Sequence, residues 1–137
     1  MSQTQIHLDV VTPERLVFSE VVDEVILPGS EGYLGVRPGH VPLMVGLGVG
    51  ELSWRRGDRQ DHMAVSMGYA EILPGRVVVL AETAERAEEI DTERAGHARR
   101  RAEEMLNKDP AKEVDFAQAR AARLRAAIRL SVAAKKK

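Results

Sequence analysis

Residues 28–43 read PGSEGYLGVRPGHVPL, a glycine-punctuated turn and a Pro-Gly corner bracketing a short apolar strand. Pro28-Gly29 and Pro38-Gly39 each set a fixed negative φ before a residue that tolerates positive φ, which is the chemistry of tight, shaped turns. Gly32 and Gly35 flank Tyr33 and Leu34, so the backbone there can pass close to a neighbouring surface. Taken alone, the stretch predicts a pair of well-made hairpin loops.

Outward from it, the chain reads as short strands. Ile6, Leu8 and Val10 alternate with His7, Asp9 and Val11, the period of a strand with one buried face. Similar runs follow at 16–22, 24–27, 33–36, 41–45, 50–54, 63–66, 69–73 and 76–81. Thr12-Pro13-Glu14, Pro28-Gly29-Ser30, Arg56-Gly57-Asp58 and Pro74-Gly75 separate them as turns. Many short strands at this spacing predict an antiparallel β-sandwich, and no crossover helix interrupts them to build a parallel sheet.

From Thr83 the pattern turns helical. Ala84, Ala87, Ala95, Ala98 and Ala102 recur at steps of three and four or their multiples, extended by Ile90, Met105 and Leu106. Asp91 is placed to cap the main helix. Residues 107–113, NKDPAKE, predict a turn, after which Asp115 with Gln118 resembles a capping box. A second helix from Phe116 folds back antiparallel, with Ala117, Ala121, Leu124 and Ile128 as its predicted stripe. The fold class is therefore α+β: an N-terminal antiparallel β-sandwich over residues 1–84 and a C-terminal antiparallel helical hairpin over 85–137.

Composition divides at the same place. Val, Ile, Leu, Met, Phe, Trp and Tyr number 34 before residue 83 and 9 after it, whereas alanines rise from 3 to 14. The first part can build a core; alanine seams let two helices approach closely but remove little area from water, at ~25 cal/mol/Å². The hairpin is thus expected to dock weakly. Residues 1–84 hold 6 arginines against 11 acids, a formal −5, and residues 85–137 hold 14 bases against 10 acids, a formal +4. After Asp115 come Arg120, Arg123, Arg125, Arg129 and three lysines with no acid, so this end seeks an anionic partner. The absence of cysteine excludes disulfides and thiolate metal sites. No apolar run reaches the roughly 18 residues of a membrane span and the start does not read as a signal peptide, so a soluble chain is expected.

Catalytic constellations are absent from the sequence. Gly46, Gly48 and Gly50 alternate in GLGVG without forming a phosphate loop or opening a helix. His7, His40, His62 and His97 are too scattered for a zinc site, and Ser53 and Ser66 lack a nucleophile elbow. The arginines are more informative. Arg94 and Arg101, seven apart, share a face of the first helix, and Arg125 and Arg129, four apart, share one of the second. In an antiparallel hairpin the two pairs can converge on an anion, with Asp91 and Glu85 as acceptors nearby. The same residues also read as an ordinary solvated helix surface with i,i+4 pairs.

Four stretches in this order, residues 28–43, MAVSMGYAEI at 63–72, VVVLAETAERA at 77–87 and IDTERA at 90–95, resemble the epsilon-subunit family of bacterial F-type ATP synthases, called delta in mitochondria. The resemblance runs from Leu8 to Val132. It implies a non-catalytic central-stalk subunit on the cytoplasmic face of the inner membrane, peripheral to it. The implied partners are the gamma subunit, the c-ring and, through the helices, the alpha and beta subunits; nucleic acid is not among them. Glu31, Tyr33, Pro38, Gly39, His40 and Pro42 fall where gamma and c-ring contacts are expected, although many relatives carry glutamate in place of Tyr33. Ile90-Asp91-Thr92-Glu93-Arg94-Ala95 matches a family ATP motif, and Glu85, Arg101, Arg125 and Arg129 fall on its other nucleotide positions. The implied ligand is a regulatory ATP, with no required cofactor and no metal. A folded hairpin would permit turnover and an extended one obstruct hydrolysis. Two other classes stay open on the residues alone: a nucleic-acid module using the basic end, and a small β-sandwich enzyme.

Overall fold

The computed structural model describes residues 5–107 and 116–136. The described residues form eight strands, β1 (Ile6–Val11), β2 (Leu16–Val22), β3 (Glu24–Gly29), β4 (Gly32–Val36), β5 (Leu43–Leu47), β6 (Gly50–Arg56), β7 (Arg59–Leu73) and β8 (Arg76–Arg86). A 3-10 turn, Ala87–Glu89, then leads to helices α1 (Thr92–Leu106) and α2 (Phe116–Ala133). The expected sandwich followed by helices is the observed architecture. Seven of the eight strands run in the order β2-β1-β8-β7-β5-β3-β4, and β6 pairs with both β3 and β7. Pairing is antiparallel except between β1 and β8, which lie parallel with His7 opposite Arg76 and Val11 opposite Leu80.

Two expected strands, 63–66 and 69–73, are one. β7 is continuous over fifteen residues because Met67 and Gly68 absorb a kink, with φ of 52° and 145°. Before the kink β7 pairs with β6, from Gly50 opposite Val65 to Arg56 opposite Arg59. After it β7 pairs with β5, from Leu47 opposite Gly68 to Leu43 opposite Ile72. One strand therefore crosses from one layer of the sandwich to the other, a standard use of a bulge. Between the layers lie Ile6, Leu8, Val10, Val22, Val25, Leu27, Val36, Leu52, Met63, Ile72, Val77 and Val79, all fully buried.

The helical pattern expected from Thr83 begins later. Thr83, Ala84, Glu85 and Arg86 continue β8 opposite Ser66, Val65, Ala64 and Met63, because a neighbouring strand supplies the hydrogen bonds that a helix would have made internally. The strand expected at 41–45 lies at Leu43–Leu47 instead. Asp91 caps α1 as expected, its carboxylate accepting from the Arg94 amide at 3.0 Å. The turn at 107–113 and the Asp115 cap lie outside the described residues, apart from Asn107 at the α1 terminus.

The predicted stripe of α2 is only partly its buried face: Ala121 and Ile128 are half-buried, with Ile128 packed at the seam. Its buried residues are Ala119, Ala126 and Val132, while Ala117 is exposed and Leu124 is 47% exposed. With seven alanines and five larger apolar residues spread over nearly every face, periodicity in this helix points weakly in several directions, and the partner surface chooses. Ala95 and Ala102 of α1 are likewise buried. The helices are antiparallel: Val132 packs near Ile90 at one end, and Arg120 and Arg123 line a groove with Arg99 and Glu103 at the other.

Candidate functional site: the hairpin docked on the sandwich

The hairpin meets the sandwich over a small apolar cluster of Ala64 from β7, Ala87, Ile90 and Val132, with Ile128 and Ala133 packed against it. Only one large side chain, Val132, enters it from α2 with complete burial. Polar contacts flank the cluster. Arg129 Nε donates to Glu85 Oε1 at 2.6 Å, and Lys135 Nζ to Glu51 Oε2 at 2.6 Å. Arg125, Ile128 and Arg129 also border a gap of about 10 Å³, room for one water, against Val49, Ala64, Val65, Ser66 and Thr83. Ser66 and Thr83 share a hydrogen bond of 2.5 Å between their hydroxyls there.

The predicted nucleotide residues divide into three sets. Glu85, Ile90, Arg125 and Arg129 lie at the seam between sandwich and hairpin. Ala95 is buried in α1, and Asp91 is engaged in its cap. Arg94 and Arg101 are exposed on α1, and among the described residues neither is ion-paired with Glu85, whose partner is Arg129. Arg129 is held towards β8 by Glu85.

The loop residues also separate. Glu31 lies in the turn before β4 and Tyr33 near its start, whereas Pro38, Gly39, His40 and Pro42 follow its end. Five residues of strand part them, roughly 15 Å. Tyr33 is 61% exposed, yet its hydroxyl accepts from the Glu51 amide at 3.1 Å. At the far end the Gly39 amide, with φ of 83°, donates to the Pro74 carbonyl at 2.7 Å, pinning this corner to the β7–β8 turn. The His40 ring holds the Val41 carbonyl at 2.7 Å. The stretch at 28–43 thus supplies features at both ends of the sandwich rather than a single surface.

A polar cluster that sequence reading did not single out sits on β1 and its neighbours. Asp9 accepts from Ser19 Oγ at 2.6 Å and Arg76 at 2.8 Å, with His7 Nε2 at 3.1 Å. Burial pushes its carboxyl up, but Ser19, Arg76 and His7 outweigh burial and hold it below the usual aspartate range. The grouping is not a nucleophilic triad: His7 Nε2 faces both Ser19 and Asp9, so the same nitrogen would have to serve base and orienting group. The alternation of β1 placed Asp9 on the outer face, so neither its burial nor its partners 10 and 67 residues away were legible in the sequence.

Among the described residues no group of three or more His, Cys, Asp or Glu is placed to hold a metal ion. No described helix is long and apolar enough to cross a membrane.

Comparison with known proteins agrees with this geometry. Residues 5–87 match the beta-sandwich domain of the ATP synthase delta/epsilon chain, and residues 88–134 match its long alpha-helix domain. An ATP synthase epsilon chain from Desulforamulus reducens is 47% identical over 133 residues, covering 97% of this chain and 99% of the relative. One from Solibacter usitatus is 49% identical, covering 96% and 97%. A chain in the cryo-EM structure of the Euglena gracilis mitochondrial ATP synthase, OSCP/F1/c-ring in rotational state 1, superposes with a TM-score of 0.80 at 26% identity, covering 98% of this chain and 84% of that one. The chain therefore belongs to the ATP synthase delta/epsilon chain family, as a non-catalytic subunit.

Proposed function

We propose that this chain is a central-stalk subunit of an F-type ATP synthase, in which the sandwich couples the gamma subunit to a proton-driven c-ring and the hairpin regulates ATP hydrolysis. It sits peripherally on the cytoplasmic face of the cell inner membrane, held there through the complex. The observation that carries this reading is the thinness of the hairpin's seat: one small apolar cluster and a few flanking ion pairs. Such an interface is worth a few kcal/mol, within reach of a ligand or partner that prefers one state. Released, the acid-free run of Arg120, Arg123, Arg125 and Arg129 offers a cationic helix to an acidic surface near the base of the catalytic beta subunits. Glu31, Tyr33, Pro38, Gly39, His40 and Pro42 are the proposed gamma and c-ring contacts. Their division between two ends of β4 fits a sandwich that touches two neighbours.

In the same reading ATP is a regulatory ligand of the folded hairpin, held by Glu85, Ile90, Asp91, Arg94, Ala95, Arg101, Arg125 and Arg129. Binding would require Arg129 to share Glu85 with the ligand. Ligand bound to the folded form alone adds about 2.7 kcal/mol at a hundredfold excess over Kd. The test places one fluorophore on the sandwich and one on α2 within the reconstituted complex. Transfer efficiency should rise with ATP and fall during inhibited hydrolysis. A hairpin position indifferent to both, with hydrolysis unchanged on deletion of residues 92–137, would end the regulatory reading.

A further inference from the structure

We propose that Glu51, His62 and Lys135 form a proton-sensitive latch that holds the end of α2 on the sandwich and opens as the solution turns acidic. The three come from separate places: Glu51 from β6, His62 from β7 and Lys135 from just beyond α2. They meet on one carboxylate. Lys135 Nζ lies 2.6 Å from Oε2, and His62 Nδ1 faces Oε1 at ion-pair range. Glu51 and His62 are largely buried, at 17% and 15% side-chain exposure, whereas Lys135 keeps 45%. His62 Nδ1 is sealed from solvent and makes no well-directed hydrogen bond among the described residues, so its contact with Glu51 Oε1 is one of proximity and charge.

One negative charge therefore has two claimants. With His62 neutral and its proton on Nδ1, the imidazole contributes a dipole to Oε1 and leaves the carboxylate charge to Lys135. A second proton makes it an imidazolium in contact with the same carboxylate. The charge Lys135 sees is then cancelled, and two cations share a small, partly dry space. His62 is fixed on its strand; Lys135 is half exposed on a flexible stem and yields first. Protonation and latching therefore oppose each other.

The surrounding charges do not compete for this role. Ser53, opposite His62 on β6, is uncharged. Asp61 pairs with Arg59, Glu85 of β8 with Arg129, Glu88 of the 3-10 turn with Arg86, and Glu89 with Arg15. Lys136, next along the tail, is exposed and makes no ion pair among the described residues, so it adds only to the repulsion. The latch rests on the docked hairpin itself and not on what the hairpin regulates.

The chain has no cysteine, so a dye pair can be placed by Asp58→Cys and Ser131→Cys, both exposed, in the full-length protein. Lowering the pH from about 8 to about 5 should reduce the docked-to-undocked ratio roughly two- to fivefold, the scale of a partly exposed ion pair. His62→Gln should stay docked and lose that response. Lys135→Met should begin with the ratio already lowered and also lose it. A parent ratio that does not move, or a response that survives His62→Gln, overturns the latch. Should His62→Gln fail to fold, Lys135→Met decides alone, because a full response without Lys135 is incompatible with the proposal.

Discussion

Arg129 and Glu85 form a hydrogen-bonded ion pair, 2.6 Å from Nε to Oε1, that ties the second helix to the last strand of the sandwich. They are 44 residues apart, and about a third of each side chain remains exposed. The pair closes the seam beside the apolar cluster rather than inside it.

Because both partners stay partly wet, their mutual contribution should be modest. A double-mutant cycle of Glu85→Gln and Arg129→Met should give a coupling of about 0.5–1 kcal/mol for hairpin docking. Hydrogen exchange of α2 amides is the readout. The sandwich amides should be unaffected.

Val132 is the fully buried anchor of α2 against the sandwich. Val132→Ala removes two methyl-sized groups, so docking should weaken by about 1.5 kcal/mol at ~0.8 kcal/mol per buried group. Faster proteolysis of the hairpin at unchanged sandwich melting would register the loss. Equal destabilisation of both parts would instead mean that they unfold as one unit.

Gly68 carries the kink that lets β7 serve both layers. A Cβ there would collide with the Leu80 carbonyl, and φ of +145° is strained for any other residue. Gly68→Ala should cost about 3 kcal/mol or more in urea unfolding, combining backbone strain with the clash. Gly35→Ala, where an added Cβ meets nothing within 4 Å, is the control and should stay within about 0.5 kcal/mol of the parent.

Asp9 gives the sandwich an acid sensitivity whose sign follows from its surroundings. Ser19, Arg76 and His7 hold its folded carboxyl below the unfolded value despite burial. The carboxylate therefore adds stability above the ordinary aspartate range, and this is lost as pH falls through that range to the lower folded value. Asp9→Asn should cost roughly 1–3 kcal/mol at about pH 7, and the gap to the parent should narrow towards about pH 2. A gap constant with pH would show that the cluster stabilises through packing alone.

Much of the fold was legible locally. Alternation in Ile6, Leu8 and Val10, the Pro38-Gly39 corner, and the aspartate before Thr92 depend on backbone chemistry within a few residues, and each sits where its pattern placed it, whereas Pro28-Gly29, expected as a turn, ends β3 with Gly29 opposite Gly32. The division between apolar-rich and alanine-rich halves was equally plain, as was the excess of base in the final helix. Those features fixed a sandwich, a hairpin and a weak seam between them.

Other decisions belonged to contacts distant in sequence. A helical reading of Thr83 to Arg86 gave way to strand once β7 offered hydrogen-bond partners. The buried face of α2 was set by Ala64, Ala87 and Ile90, since alanines on several faces made its own periodicity nearly mute. Which arginine would meet Glu85, and that Glu51 would be shared by His62 and Lys135, depended on how far α2 runs before it reaches the sheet. Local pattern determines which elements form; only their packing determines which charges share a carboxylate, because that depends on register and burial summed over the whole chain.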